Sequence, residues 1–141
     1  MSGSDPQKIA YEARLYSEQL KLIESEINRI SITLVELRGS LDVVEAINET
    51  TDKTINGNLI FVPIGGGSMV SAKIISPGVI IPIGGGYLVK MNKHEAVEEI
   101  KKRISSIEAA IEKLRNEFGK IGAKFREVNA KLELMRSQSA K

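Results

Sequence analysis

Two long series of apolar residues, each advancing in alternating steps of three and four, constrain this chain more than anything else in it. The first runs Ile9, Ala13, Tyr16, Leu20, Ile23, Ile27, Ile30, Leu34, Leu37, Leu41 and Val44. The second runs Val97, Ile100, Ile104, Ile107, Ile111, Leu114, Phe118, Ile121, Phe125, Val128, Leu132 and Met135. A sustained 3.5-residue repeat with charges between the apolar positions predicts a coiled-coil seam. Two helices of a globular bundle would be the simpler alternative, but such helices carry a wider apolar stripe. Each arm is roughly 40 residues, or about 60 Å of helix, which is longer than a compact domain of this size needs. With three Phe, three Tyr and no Trp, the 141-residue chain also lacks the bulk for a large compact core.

Charge separates the arms. Residues 1–56 carry six Lys/Arg against ten Asp/Glu, and residues 92–141 carry twelve against eight. Formal charges of −4 and +4 favour the arms lying side by side. The whole chain carries only +2, so neither nucleic acid nor a membrane surface is expected as a partner. Absence of cysteine excludes disulfides and thiolate metal sites. The start, "MSGSDPQK", has neither the basic nor the apolar region of a signal peptide, and its Ser-Gly-Ser has the look of a cloning scar. The longest charge-free runs, Thr54–Ala72 and Ile74–Val89, are broken by Gly and Pro, so neither is expected to span a bilayer as a helix. A cytoplasmic location is expected.

Local signals place the ends of the arms. Asp5-Pro6 offers an N-cap followed by proline at the first helical position. Asn92, with Glu95 three residues on, has the form of a capping box. The first arm fades through "NETTDKTINGN", whose Thr, Asn and Asp side chains compete for backbone hydrogen bonds. The expected division is 1–56 for the first helix, 57–91 for a middle section and 92–141 for the second helix. Gly39, Gly119 and Gly122 fall inside the arms but off the seam, each costing about 1 kcal/mol relative to Ala. They either soften the arms or admit a closely approaching backbone.

In the middle section the period changes to two. "NLIFVP", "SMVSAKI", "GVIIP" and "YLVKM" are short β-branched or apolar runs, and Pro-Ile-Gly-Gly-Gly occurs twice, at 63–67 and 82–86. A phosphate-binding loop would need a lysine and a hydroxyl residue closing the glycine run, then a helix. Here Ser68-Met69-Val70 and Tyr87-Leu88-Val89 follow, which read as strands. The triplets are predicted to be the turns of two tandem β-hairpins, with "SPG" between the units. Four short strands with apolar faces and open edges are not stable alone. Leu59, Ile60, Val62, Val70, Ile80 and Val89 are therefore the expected oligomerisation residues, covered by hairpins of other subunits.

Catalytic chemistry finds no constellation. His94 is the only histidine, placed at a helix start where it is expected to be solvated. Carboxylates fall at helix-surface spacings such as Glu98 with Lys102, and Lys101-Lys102-Arg103 point in different directions on a helix. No catalytic, cofactor-binding or metal-ligating residues are assigned, no cofactor is called for, and no enzyme is expected.

Heptad arm, two tandem hairpins and second heptad arm together resemble the α class of the prefoldin family. The block "LIFVPIGGGSMVSAKI…GVIIPIGGGYLVKM" looks like the family's hairpin region, and "EAVEEIKKRISSIEAAIEKL" resembles its second helix. The resemblance covers about Ile9 to Met135, and two hairpins point to the α rather than the β class. It implies a mainly α fold, a long antiparallel two-helix coiled coil whose hairpins form an intersubunit β-barrel. It further implies a hexamer of two α and four β prefoldin subunits, with coiled coils projecting from the barrel body. Such chaperones capture non-native polypeptides without ATP and pass them to a group II chaperonin in the cytosol. The Ile/Lys/Glu-rich composition leans towards an archaeal, even thermophilic, protein. The repeated glycine triplets are a departure that is not taken as a family-wide motif.

An antiparallel pair of arms would bring both termini to the tip furthest from the hairpins, where fraying exposes seam residues. Ile9, Tyr11, Leu15, Leu132, Leu134 and Met135 are the expected client-binding tip, Met135 being adaptable to varied apolar surfaces. Tyr11, Leu15 and Leu134 lie off the seam, where scattered apolar residues are also ordinary. The competing function is structural: a prefoldin-like chain whose hairpin contacts do not close, giving filaments or homo-oligomers. A nucleotide-dependent enzyme would need phosphate binding at the triplets.

Overall fold

The computed structural model describes residues 5–47 and 59–139. The Ser2-Gly3-Ser4 segment, the fading stretch "NETTDKTINGN" and the expected boundary at 56/57 lie outside these residues. The elements run α1 (Pro6–Ala46), β1 (Leu59–Gly65), β2 (Ser68–Lys73), β3 (Val79–Gly84), β4 (Tyr87–Met91) and α2 (Lys93–Ser139). This is the expected fold, two long helices with two antiparallel hairpins between them.

Both helix starts are capped as the sequence predicts. Asp5 Oδ1 accepts from the Gln7 backbone N–H at 3.0 Å, ahead of Pro6. Asn92 Oδ1 accepts from the Glu95 N–H at 2.8 Å. Glu95 Oε1 in turn accepts from the Asn92 side-chain amide at 3.2 Å, a side-chain version of the capping box. The end of α1 is closed from a distance. Lys93 Nζ donates to the carbonyls of Glu45 and Ile47, each at 2.8 Å. A cation on these terminal carbonyls satisfies orphan acceptors and complements the helix dipole.

Each hairpin forms its own two-stranded sheet. The triplets are its turns: Gly65, Gly66 and Gly67, and likewise Gly84, Gly85 and Gly86, all have positive φ. Only glycine adopts this at low cost, which explains the repeated motif. Register shifts between Pro63 and Gly65 and between Pro82 and Gly84 leave Ile64 and Ile83 as bulged residues.

The chain divides into two compact units. One contains Met1–Leu34 with Ser106–Lys141, the other Val35–Ser105. In the first, Ile9, Ala13 and Val128 form a buried cluster, packed by Tyr16, Phe125, Leu132 and Met135. In the second, Val44, Ile81, Ala96 and Ile100 are buried together, packed by Leu37, Leu41, Val79, Met91, Val97 and Ile104. The helical members are seam residues with one exception, Ala96, which flanks the seam. The second hairpin thus contributes to a core with both helices, and Arg103 fixes it there. Its Nη2 donates to the Pro82 carbonyl at 2.7 Å while Nε donates to Glu99 at 3.0 Å.

The clusters agree with one helix register. In an antiparallel pair the residue numbers in each layer have a constant sum, and a sum of 141 joins Ile9 with Leu132, Ala13 with Val128 and Tyr16 with Phe125. Each of these pairs lies within the first cluster. The same sum joins Leu37 with Ile104, Leu41 with Ile100 and Val44 with Val97, all in the second cluster. A slide of one heptad would instead set Val128 against Leu20. Cysteines placed by Leu20→Cys and Ile121→Cys should therefore crosslink within one chain under mild oxidation, whereas Leu20→Cys with Val128→Cys should not. Crosslinking of the second pair alone, read on non-reducing gels, would mean a shifted register.

One seam residue departs from the expectation of burial. Phe118 is 39% exposed. Gly122, one turn on along the same face, supplies no side chain to cover the ring.

Candidate functional site

The candidate surfaces are apolar, and the hairpins carry the larger one. In the first hairpin Ile60 pairs with Ala72 and Val62 with Val70, while Leu59, Phe61 and Pro63 pair with Lys73, Ser71 and Met69. Alternation puts these two sets on opposite faces. Phe61 is 66% exposed on one face, and Val62 and Val70 are also open on the other. No residue of this hairpin belongs to either buried cluster. An apolar hairpin uncovered on both faces is a surface that needs a partner.

The second hairpin is divided differently. Ile81 pairs with Val89 and Val79 with Met91, on the face whose Ile81, Val79 and Met91 enter the core. Ile80 pairs with Lys90 and Pro82 with Leu88 on the face that stays open. Of the six expected oligomerisation residues, Leu59, Val62, Val70 and Ile80 are exposed, and Ile60 and Val89 half-buried. Val89 shares the face turned to the chain's own core. Phe61, Ile64, Met69, Tyr87 and Leu88 are exposed and were missed. The alternation of the strands was the available signal, since each of these runs is apolar at successive positions.

The six expected tip residues also separate. Ile9 is buried, and Leu132 and Met135 pack against its cluster. Tyr11, Leu15 and Leu134 are exposed, the first two at successive turns of α1 and the third on α2. The structure therefore gives Ile9, Leu132 and Met135 a packing role in the seam. Only the three off-seam residues present free apolar surface.

Ionised groups form short-range pairs along single helices, such as Arg14 with Glu18 at 3.2 Å and Lys131 with Glu127 at 3.7 Å. Arg29 donates to both carboxylate oxygens of Glu26, from Nε at 2.9 Å and also from Nη2. This hydrogen bonding, aided by the charge of Arg29, holds the Glu26 carboxyl below the usual carboxylate range. His94 is exposed, lining an open groove of about 600 Å³ with Ser76, Gly78, Lys90 and Lys93. Lys93 is already engaged with the carbonyls that end α1. Among the described residues, no group of three or more acidic or histidine side chains could hold a metal ion. Nor is any described helix long and apolar enough to cross a membrane.

Two long helices, a shared seam and paired hairpins between them have counterparts among known proteins. The family model for the prefoldin subunit matches residues 16–135. The chain belongs to the prefoldin family. A prefoldin subunit alpha from Methanospirillum hungatei is 29% identical over 129 residues, covering 91% of this chain and 78% of that relative. One from Methanoregula boonei is 25% identical over 134 residues, covering 94% and 84%. The filamentous prefoldin of Methanocaldococcus jannaschii shares the fold, with a TM-score of 0.67 and 21% identity over 86% of this chain and 98% of that one. Prefoldins are chaperone-type and non-catalytic, so membership gives this chain a chaperone-like role.

Proposed function

We propose that this chain is the α-type subunit of a prefoldin complex, joined through its hairpins to β-type subunits and a second α. Three observations support this reading: tandem hairpins, α-named relatives and, above all, a first hairpin that is apolar and uncovered on both faces. Completing the barrel with hairpins of other subunits would cover those faces and pair the open strand edges. In the complete form of the proposal, two α and four β chains make the hexamer. The helical pairs hold non-native polypeptides in the cytoplasm without ATP and release them to a group II chaperonin.

A second reading is a homo-oligomer or filament, favoured by the likeness to a filamentous prefoldin. Native mass separates the two. The purified chain mixed with a prefoldin β subunit should give one closed six-subunit species. A ladder of large homopolymers, unchanged by the β subunit, would favour the filament and sink the hexamer.

Capture itself is tested at the exposed tip residues. Deleting residues 1–11 and 133–141 would also remove Ile9 and Met135 from the buried cluster, so substitution is cleaner. A triple variant carrying Tyr11→Ser, Leu15→Ser and Leu134→Ser should assemble normally. It should need a several-fold higher concentration, about fivefold, to suppress aggregation of a chemically unfolded client, because each change removes apolar contact area. Unchanged suppression would place client binding elsewhere on the helices.

A further inference from the structure

The two helices differ in what they turn outward. With Ala13, Leu20 and Ile27 at heptad position a, and Ile9, Tyr16 and Ile23 at d, positions b, c and f point away from the seam. Every exposed large apolar residue of α1 falls at one of these positions: Tyr11, Leu15, Leu22, Ile32, Val35 and Val43. On α2 the outward positions hold only Leu134 among the exposed large apolar residues, Phe118 belonging to the seam. Singly exposed apolar residues are ordinary, but a succession confined to one face of one helix is a stripe. Leu22 is its most exposed member at 71%.

Charge is sorted along the same helix. The outward positions between residues 7 and 32 carry Lys8, Arg14, Lys21 and Arg29 against a single acid, Glu18. Glu12, Glu24 and Glu26 sit at e and g, beside the seam. Over residues 7–32 the acidic first arm therefore has a basic outward face, which turns acidic beyond, at Glu36 and Asp42. Arg14 is paired with Glu18 and Arg29 with Glu26. Lys8 and Lys21 are exposed and make no ion pair among the described residues.

We propose that the outward face of α1, with Tyr11, Leu15, Leu22 and Ile32 rimmed by Lys8 and Lys21, docks non-native segments in which apolar and acidic residues alternate. The proposal rests on the capture reading above and names its preferred client chemistry. Charge complementarity selects the occupant, since a second copy of the same face would set lysine against lysine. Size agrees. The stripe is about 30 Å long and one helix wide, roughly 300 Å², well below the ~800 Å² per partner of a stable folded interface. An extended segment of about ten residues would cover it, weakly and reversibly.

The test uses the full-length assembled chain and three fluorescein-labelled peptides, alternating Leu with Glu, with Gln or with Lys, titrated by anisotropy. At low salt the Glu peptide should bind about tenfold more tightly than the Lys peptide, with the difference shrinking as salt screens it. The pair Lys8→Glu and Lys21→Glu should remove or invert that preference. The pair Leu22→Ser and Ile32→Ser should weaken all three peptides about tenfold. Leu134→Ser, on α2, should leave the Glu-over-Lys preference unchanged. The proposal is overturned if the wild type binds peptides but neither pair of changes alters affinity or preference. It is equally overturned if the outward variants change native mass, which marks a contact between copies. Docking on phosphatidylglycerol vesicles that the Glu peptide does not displace would overturn it too. A wild type that binds no peptide and suppresses no aggregation would instead sink the capture reading itself. All substituted positions are exposed, so unchanged circular dichroism and melting of each variant are expected and keep these outcomes separable.

Discussion

Phe61→Asp and Val70→Asp are each expected to abolish assembly while leaving the helices intact. The two residues lie on opposite faces of the first hairpin, since Phe61 pairs with Ser71 and Val70 with Val62. Neither enters a buried cluster of the chain itself, so the isolated subunit loses no core packing. In an assembly that covers the hairpin, a carboxylate on the covered face must be desolvated, at a cost of several kcal/mol unless it finds a partner. Native mass should fall to that of a single chain, while far-UV circular dichroism keeps its helical signature. If one variant assembles fully, that face is solvent-facing in the complex. If both do, assembly does not run through the first hairpin.

Ile81→Ala and Ile80→Ala should have opposite consequences although the residues are adjacent. Ile81 is 4% exposed and packed with Val44, Ala96 and Ile100, whereas Ile80 is 64% exposed on the other face of its strand. Truncating Ile81 removes buried methyl groups and leaves a cavity, costing about 2–4 kcal/mol. In a Val70→Asp background, where the chain is expected to be monomeric, this should lower the melting temperature by about 10 °C. Ile80→Ala should leave melting of that monomer nearly unchanged, yet weaken assembly when Val70 is restored. Equal melting temperatures for the two variants would mean that the second hairpin is not anchored in the core.

Both heptad series became α1 and α2, and the two N-caps formed at Asp5 and Asn92. Caps and turns are written within three or four residues, so they are legible locally. The glycine triplets were legible for the same reason, because three successive positive φ angles demand glycine. The bulges at Ile64 and Ile83 were not foreseen, since a bulge depends on how the opposing strand is paired. The Lys93 cap on α1 was equally invisible. It joins residues 46 and 48 positions apart, a contact that no local pattern encodes.

The sequence by itself determined the period of each segment and hence its element type: 3.5 for the arms, two for the strands, glycine at the turns. It also favoured one helix register, the sliding position that sets all eleven seam residues of the first arm opposite a seam residue of the second. Only the tertiary structure decided which apolar surfaces remain free. Strands such as "LIFVPI" and "VIIPI" are apolar on both faces, and alternation alone cannot say which face meets the helices. Packing chose Ile81 for the core and left Ile80 outside. At the chain ends it buried Ile9 and packed Leu132 and Met135, half-buried, against its cluster, although sequence position had marked all three as exposed, and it left Tyr11, Leu15 and Leu134 open. Burial is a property of what lies opposite a residue, and for seam and strand alike that neighbour is supplied by a distant part of the chain.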